Sequence, residues 1–250
     1  MTNYIKAELY RIFNKKSFYV FIGVLMAACV GFNIFLKVDE KSSVYLFDLM
    51  KLGIDKISLL LPVVLIFIII DMVNCDEYKN NTLKNMISFG MPKDKLIICK
   101  FIISIVVLFV IEIVILFAFY GSGALIFNMG NGITEFVPIF ILRICLVSIP
   151  WMSIIALGLL LNSILNDFNM FFYAYSSVFI IIPIIIKLFS LFFGRRIFIF
   201  NSFFITSLIM TFGNLHAGIF KLVIADALSL IYIVVFLSMN IKYFSNKDIK

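Results

Sequence analysis

Charge is scarce in this chain: only 14% of its 250 residues are Asp, Glu, Lys or Arg, where a soluble domain keeps about a quarter charged. That shortfall excludes water as the solvent for most of the surface. There is one histidine, His216, with no Asp or Ser constellation beside it, which argues for an interfacial polar residue over a catalytic one. The four cysteines, Cys29, Cys75, Cys99 and Cys145, lack metal-site spacing and read as small apolar fillers. No G-x-x-x-x-G-K-[ST] run occurs, so the chain carries no phosphate loop of its own. No polar stretch is long enough for a soluble domain, and no basic tract interleaved with aromatics points to nucleic acid.

What remains is apolar. The chain is 63% hydrophobic with a mean hydropathy of +1.13. Each bilayer crossing needs about 20 apolar residues for a core of roughly 30 Å. Runs at 18–36, 57–73, 96–120, 136–161, 170–188 and 219–239 meet that description. Inside lipid the backbone must satisfy itself, so these runs predict helices; a barrel would need short alternating strands. The expectation is an all-α integral membrane protein of six transmembrane helices, forming one domain over residues 1–250. A further apolar run at 197–212 is interrupted by Ser202, Thr206, Ser207 and Thr211. It predicts that residues 190–218 form a re-entrant or interfacial outer segment between spans five and six; the alternative is a full seventh span, which would put the two termini on opposite sides.

Lysine and arginine bias sets the orientation. Lys6, Arg11, Lys15 and Lys16, the 76–95 region and the C-terminal tail are richer in basic residues than the opposite loops. Both termini and 76–95 are therefore expected in the cytoplasm, and the charge of +7 reports topology. Residues 26–29, Met-Ala-Ala-Cys, loosely resemble a lipoprotein signal. The apolar run continues to Leu36, however, so the segment reads as a retained span.

Two cytoplasmic elements carry pattern. In residues 1–17, Ile5, Leu9, Ile12 and Phe13 form one stripe at helical spacing, predicting an amphipathic elbow helix in the headgroup layer. In residues 76–95, Leu83, Met86 and Ile87 share a face opposite Lys79, Asn81 and Lys84, and the Gly90-Met91-Pro92 break ends the helix. Those apolar side chains, with Phe89, suggest docking against a soluble partner; the alternative is a solvated loop obeying the charge bias. The loops at 121–135 and 162–169 read as a flexible outer loop and a tight inner turn.

This layout resembles the permease subunits of type-two ABC exporters. The likeness is most specific at Glu77, Thr82, Leu83, Gly90, Pro92, Lys93 and Lys100. The resemblance implies a cytoplasmic coupling helix between spans two and three, made by Glu77, Lys79, Asn81, Thr82, Leu83, Met86, Ile87, Gly90, Pro92 and Lys93. It implies two ABC ATPase subunits that bind ATP and Mg, and a second permease chain in a homodimer or heterodimer. No cofactor is then bound by this chain, which is a transporter subunit and no enzyme. Small size and the lack of a large outer domain look most like permeases for antimicrobial-peptide immunity, bacitracin resistance or amphipathic-toxin export in the bacterial cytoplasmic membrane. A drug or lipid-like cargo is the alternative. An intramembrane enzyme and a non-transporting scaffold are more distant readings.

Charges within spans are functional candidates because each is costly in lipid. Glu112 and Arg143 fall at similar depth and predict an ion pair between adjacent helices. Asp226 stands on the last span, off the face of Lys221, and Asp71 lies near the inner surface beside the coupling segment. Trp151 is mid-span and reads as packing; Pro62, Pro150 and Pro183 predict kinks.

Overall fold

The structure, a computed structural model, describes residues 1–38, 44–55, 58–79, 91–165, 167–193 and 202–246. Among these, all regular structure is helical: α1 (Thr2–Phe13), α2 (Lys16–Val38), α3 (Leu46–Ile54), a 3-10 turn (Ser58–Leu60), α4 (Leu61–Lys79), α5 (Lys93–Ile126), α6 (Ile133–Leu165), α7 (Phe168–Ser176), a π-helical turn (Ser177–Ile181), α8 (Ile182–Phe193), α9 (Ile205–Phe212) and α10 (Ile219–Asn246). Among the described residues, five helical stretches are long and apolar enough to cross a membrane: α2, α5, α6, α10 and the continuous run Phe168–Phe189. The chain is thus a multi-pass membrane protein by helix length and composition.

The expected second crossing is the exception. Its apolar stretch is the shorter Leu61–Asn74. Pro62 sits in the first turn of α4, where its missing N–H costs nothing, and the chain before it winds as a 3-10 turn. Two side chains hold this entry. Trp151 Nε1 donates to Leu59 O at 3.1 Å, and Tyr175 Oη donates to Val63 O at 2.6 Å. Trp151 therefore does more than pack.

α6 is the central helix. Of its most apolar window 56% is buried, against 6% for α2, whose buried residues are Phe18 and Asn33. α6 packs along α10 and also meets α4, α7 and α9. Gly158 makes the approach to α4 possible, since a Cβ there would lie 2.3 Å from Ile70 Cδ1. Small residues at such contacts are what a membrane bundle uses to bring backbones close. The core fills with aliphatic side chains: Ile66, Ile69, Ile70 and Val73 of α4 meet Ile103, Val107 and Ile111 of α5 and Ile154 of α6.

Hydrogen bonds define two ends. At one, here the base, Arg11 donates to Val73 O at 3.3 Å and Lys93 Nζ to Ser245 O at 3.1 Å. α1, the end of α4, the start of α5 and the end of α10 therefore share it. The far end holds the end of α2, where Asn33 donates to Phe119 O at 2.7 Å, together with α3 and α9.

Several expectations change in detail. The amphipathic stripe of α1 faces protein: Ile12 is buried in the core, with Ile5, Leu9 and Phe13 packed on it. The loop at 121–135 is shorter than expected, because α5 continues through Gly121 and Gly123 to Ile126. Apolar surroundings favour the hydrogen-bonded helix over the glycines' freedom. Among the described glycines, Gly130 and Gly132, at φ of 77° and 85°, use the left-handed region. α3 is a helix inside what the sequence presents as a loop, begun at Tyr45, whose backbone N–H donates to Asp48. The π turn stands just before Pro183. Pro183 cannot donate to Phe179 O and its ring crowds that carbonyl, so the ladder widens and Ile182 N bonds Ser177 O.

Candidate functional site

The base of the bundle gathers several of the buried polar side chains. Asn74 closes the apolar stretch of α4 and is 4% exposed. Lys100, two turns into α5, is 6% exposed, and its Nζ donates to Asn74 Oδ1 at 2.8 Å. Ser163 near the end of α6 donates to Asn240 Oδ1 of α10 at 2.7 Å. These four residues, from four helices, line one small cavity with Leu96, Ile97, Leu159 and Phe244. A charge costs several kcal/mol in lipid unless hydrated or partnered, and Lys100 meets that cost with the Asn74 carbonyl.

The strands of chain leading into and out of 80–90 are fixed to this cluster. Glu77 and Lys79 stand in the last turns of α4. Asn81, Thr82, Leu83, Met86, Ile87 and Gly90 lie outside the described residues. Pro92, with φ of −61° and ψ of 137°, precedes the first residue of α5, Lys93. Its preset φ and missing N–H suit the residue just outside a helix start. Lys93 reaches Ser245 O, while Met91, Leu96 and Ile97 pack on Phe244. On the other flank Arg11, ion-paired with Glu8 one turn back, donates to Val73 O. Asp71 is half-buried one turn before Asn74. Its expected contact is with the hairpin 76–95, of which residues 80–90 lie outside those described.

The expected Glu112–Arg143 pair does not form. Arg143 turns instead to the far end, where its guanidinium donates to the carbonyls of Phe212, Asn214 at 2.9 Å and Leu215 at 3.1 Å. These carbonyls lie at and beyond the C-terminal end of α9. A helix leaves its last carbonyls without partners, and a planar guanidinium can serve several at once. Similar depth said nothing about direction around the helix axis, and carbonyls won the donors. Glu112 Oε1 is buried with no hydrogen-bond partner, and so is Asp226 Oδ1 of α10. The structure brings none of Glu112, Arg143 and Asp226 into an ion pair among the described residues.

Asn74, Ser163 and Asn240 were missed from sequence. The signal was available: an amide within an apolar helix needs a partner on a neighbouring helix. Asn33 follows the same rule, donating to Ser122 at 2.8 Å. Cys29, Cys99 and Cys145 are free thiols. His216 is exposed after α9, its backbone N–H held by Asn214. Among the described residues no group of His, Cys, Asp or Glu could hold a metal ion.

The chain matches no protein-family model, and no curated protein matches it.

Proposed function

We propose that this chain is the membrane-spanning permease subunit of an ATP-driven type-two ABC exporter, carrying an amphipathic or antimicrobial peptide outward across a bacterial cytoplasmic membrane. In this reading α2, α4, α5, α6, α7–α8 and α10 are six crossings, α4 being the short one. α1 is the elbow helix, residues 76–95 carry the coupling helix, and the chain around α9 dips in and out on the outer side. Two ATPase subunits supply ATP hydrolysis, and a second permease chain completes the path.

One observation supports this reading above the others. Both flanks of residues 80–90 are anchored to α1, α5 and α10 through Arg11–Val73, Lys100–Asn74 and Lys93–Ser245. A push on that segment would reach four elements of the bundle together. A solvated loop has no need of such anchoring, and an intramembrane enzyme would need grouped acids or a histidine at shared depth.

The test is co-purification and reconstitution. The full chain in nanodiscs should bind an ABC ATPase encoded beside it and raise its ATP turnover. Glu77→Ala and Leu83→Ser should each lower that stimulation about tenfold, a loss equivalent to roughly 1.4 kcal/mol. A cysteine at Lys95 should label from the cytoplasmic side only. Labelling from outside, or unchanged stimulation in both variants, would remove the proposal.

A further inference from the structure

α4 is too short to cross a bilayer alone. Its apolar stretch, Leu61–Asn74, rises about 20 Å at 1.5 Å per residue, against a hydrocarbon core of roughly 30 Å. The hydrogen bonds at its two ends show which part is missing. At the base, Asn74 stands beside Ser163 of α6 in the lining of one cavity. At the other end Leu59 O accepts from Trp151 Nε1 of the same helix at 3.1 Å. From Ser163 back to Trp151, α6 climbs only about 18 Å, and about 27 Å of it remain above. Trp151 thus stands near the middle of this 33-residue helix. Tyr175, whose Oη holds Val63 O at 2.6 Å, lies just before the π turn at Ser177–Ile181, midway along Phe168–Phe189. Both bonds put the start of α4 at mid-depth.

Two other elements fill the space above it. α3 descends from the loop after α5, where Leu46 N donates to Asn128 O at 2.9 Å, to Ile54, packed on Phe136 and Phe140 near the top of α6. There it stops, Asp55 turning extended with ψ of 152°. α9 comes up from below. Phe203 O accepts from Tyr232 Oη at 2.8 Å in the middle of the 28-residue α10, and α9 then meets the 3-10 turn and ends at Arg143. Ile54, Leu59 and Val63 are each at most 5% exposed. The interrupted chain is therefore wrapped in protein, the condition under which non-helical backbone is tolerated at membrane depth.

We infer that the second crossing is a discontinuous helix, with α3 serving the far side and α4 only the base-side half. The Trp151–Leu59 and Tyr175–Val63 bonds are the clasp that holds the upper end of α4 at mid-depth. A movement of α4 is then delivered to α6 and α7 at the centre of the bilayer, and α3 need not follow. This device stands whatever grips residues 76–95, so its failure would leave the exporter reading untouched.

Depth is measurable on the full chain in vesicles. The four native cysteines are replaced by alanine, and a nitroxide is placed at Leu61→Cys, at Leu52→Cys on α3 or at Val234→Cys, an exposed position in the middle of α10. The ratio of collisions with oxygen to collisions with a nickel chelate rises toward the bilayer centre. Leu61→Cys should match Val234→Cys and exceed Leu52→Cys. A ratio at Leu61→Cys as low as at Leu52→Cys overturns the inference. The clasp has its own reading. Combining Trp151→Phe with Tyr175→Phe should make Leu59→Cys react about tenfold faster with maleimide, the scale of one lost buried hydrogen bond. Val73→Cys, buried at the lower end of α4, should stay protected. No gain at Leu59→Cys, or an equal gain at both sites, counts against the clasp, and the depth measurement needs neither aromatic variant.

Discussion

Two polar regions hold this bundle together by different means. At the far end Arg143 gives its donors to three backbone carbonyls, those of Phe212, Asn214 and Leu215. At the base the bonds run between side chains of separate helices, Lys100 to Asn74 and Ser163 to Asn240. A carbonyl moves only when its chain moves, so the far contact fixes the turn after α9 against α6. Side chains on straight helices can follow small shifts of the helix axes and keep their bonds. The far end is built as a frame, and the base as a joint. Breaking the charge–carbonyl bonds leaves the buried Phe212 carbonyl unmet and weakens the two part-buried ones, whereas replacing both members of a buried polar pair by apolar groups is often close to neutral.

The sharpest challenge to that comparison is Arg143→Leu. It takes the donor from one buried and two part-buried carbonyls, which at about 1–3 kcal/mol for each buried group left unmet should cost roughly 3–5 kcal/mol in all, read as a large fall in melting temperature in detergent. A cysteine at Thr206, buried on α9, should at the same time become reactive to maleimide. Arg143→Lys should recover only part of the loss, since an ammonium lacks the planar fork.

Trp151→Phe and Tyr175→Phe come next. Each leaves one buried carbonyl at the entry to α4, Leu59 O or Val63 O, and each should cost about 1–3 kcal/mol by thermal unfolding. At the base, Lys100→Met keeps the volume and leaves only the buried Asn74 carbonyl without this donor, so it should cost about 1–3 kcal/mol at most. If Lys100→Met destabilised as much as Arg143→Leu, the distinction between frame and joint would fail. The smallest effect belongs to Lys93→Ala, whose bond to Ser245 O is exposed. It should stay within about 0.5 kcal/mol in a melting experiment.

Much of the helical layout was legible because lipid demands long apolar runs, and the runs at 96–120, 136–161 and 219–239 sit inside α5, α6 and α10. The stripe Ile5, Leu9, Ile12 and Phe13 announced α1 but not its occupant, since an apolar face looks the same whether it meets lipid or protein. α3 was hidden because nine residues with two charges resemble a loop when read beside long spans. The partner of Arg143 was illegible for a different reason. Backbone carbonyls are present at every position, so sequence cannot mark the ones that a fold leaves uncovered. The amides Asn74 and Asn240 were visible as oddities within apolar helices, yet their meeting through α5 and α6 needs the three-dimensional arrangement.

The widened turn at Ser177–Ile181 divides its crossing into halves with unequal duties. Below it, Phe171 and Tyr175 are clasped by the rings around Phe67 on α4. Above it, from Ile180 through Phe189, no side chain is fully enclosed. A rod that is gripped along one half and slackened at its middle concentrates bending at the slack point. Any tilt of this crossing will therefore pivot near Ser177, with the upper arm swinging while the lower arm keeps station with α4.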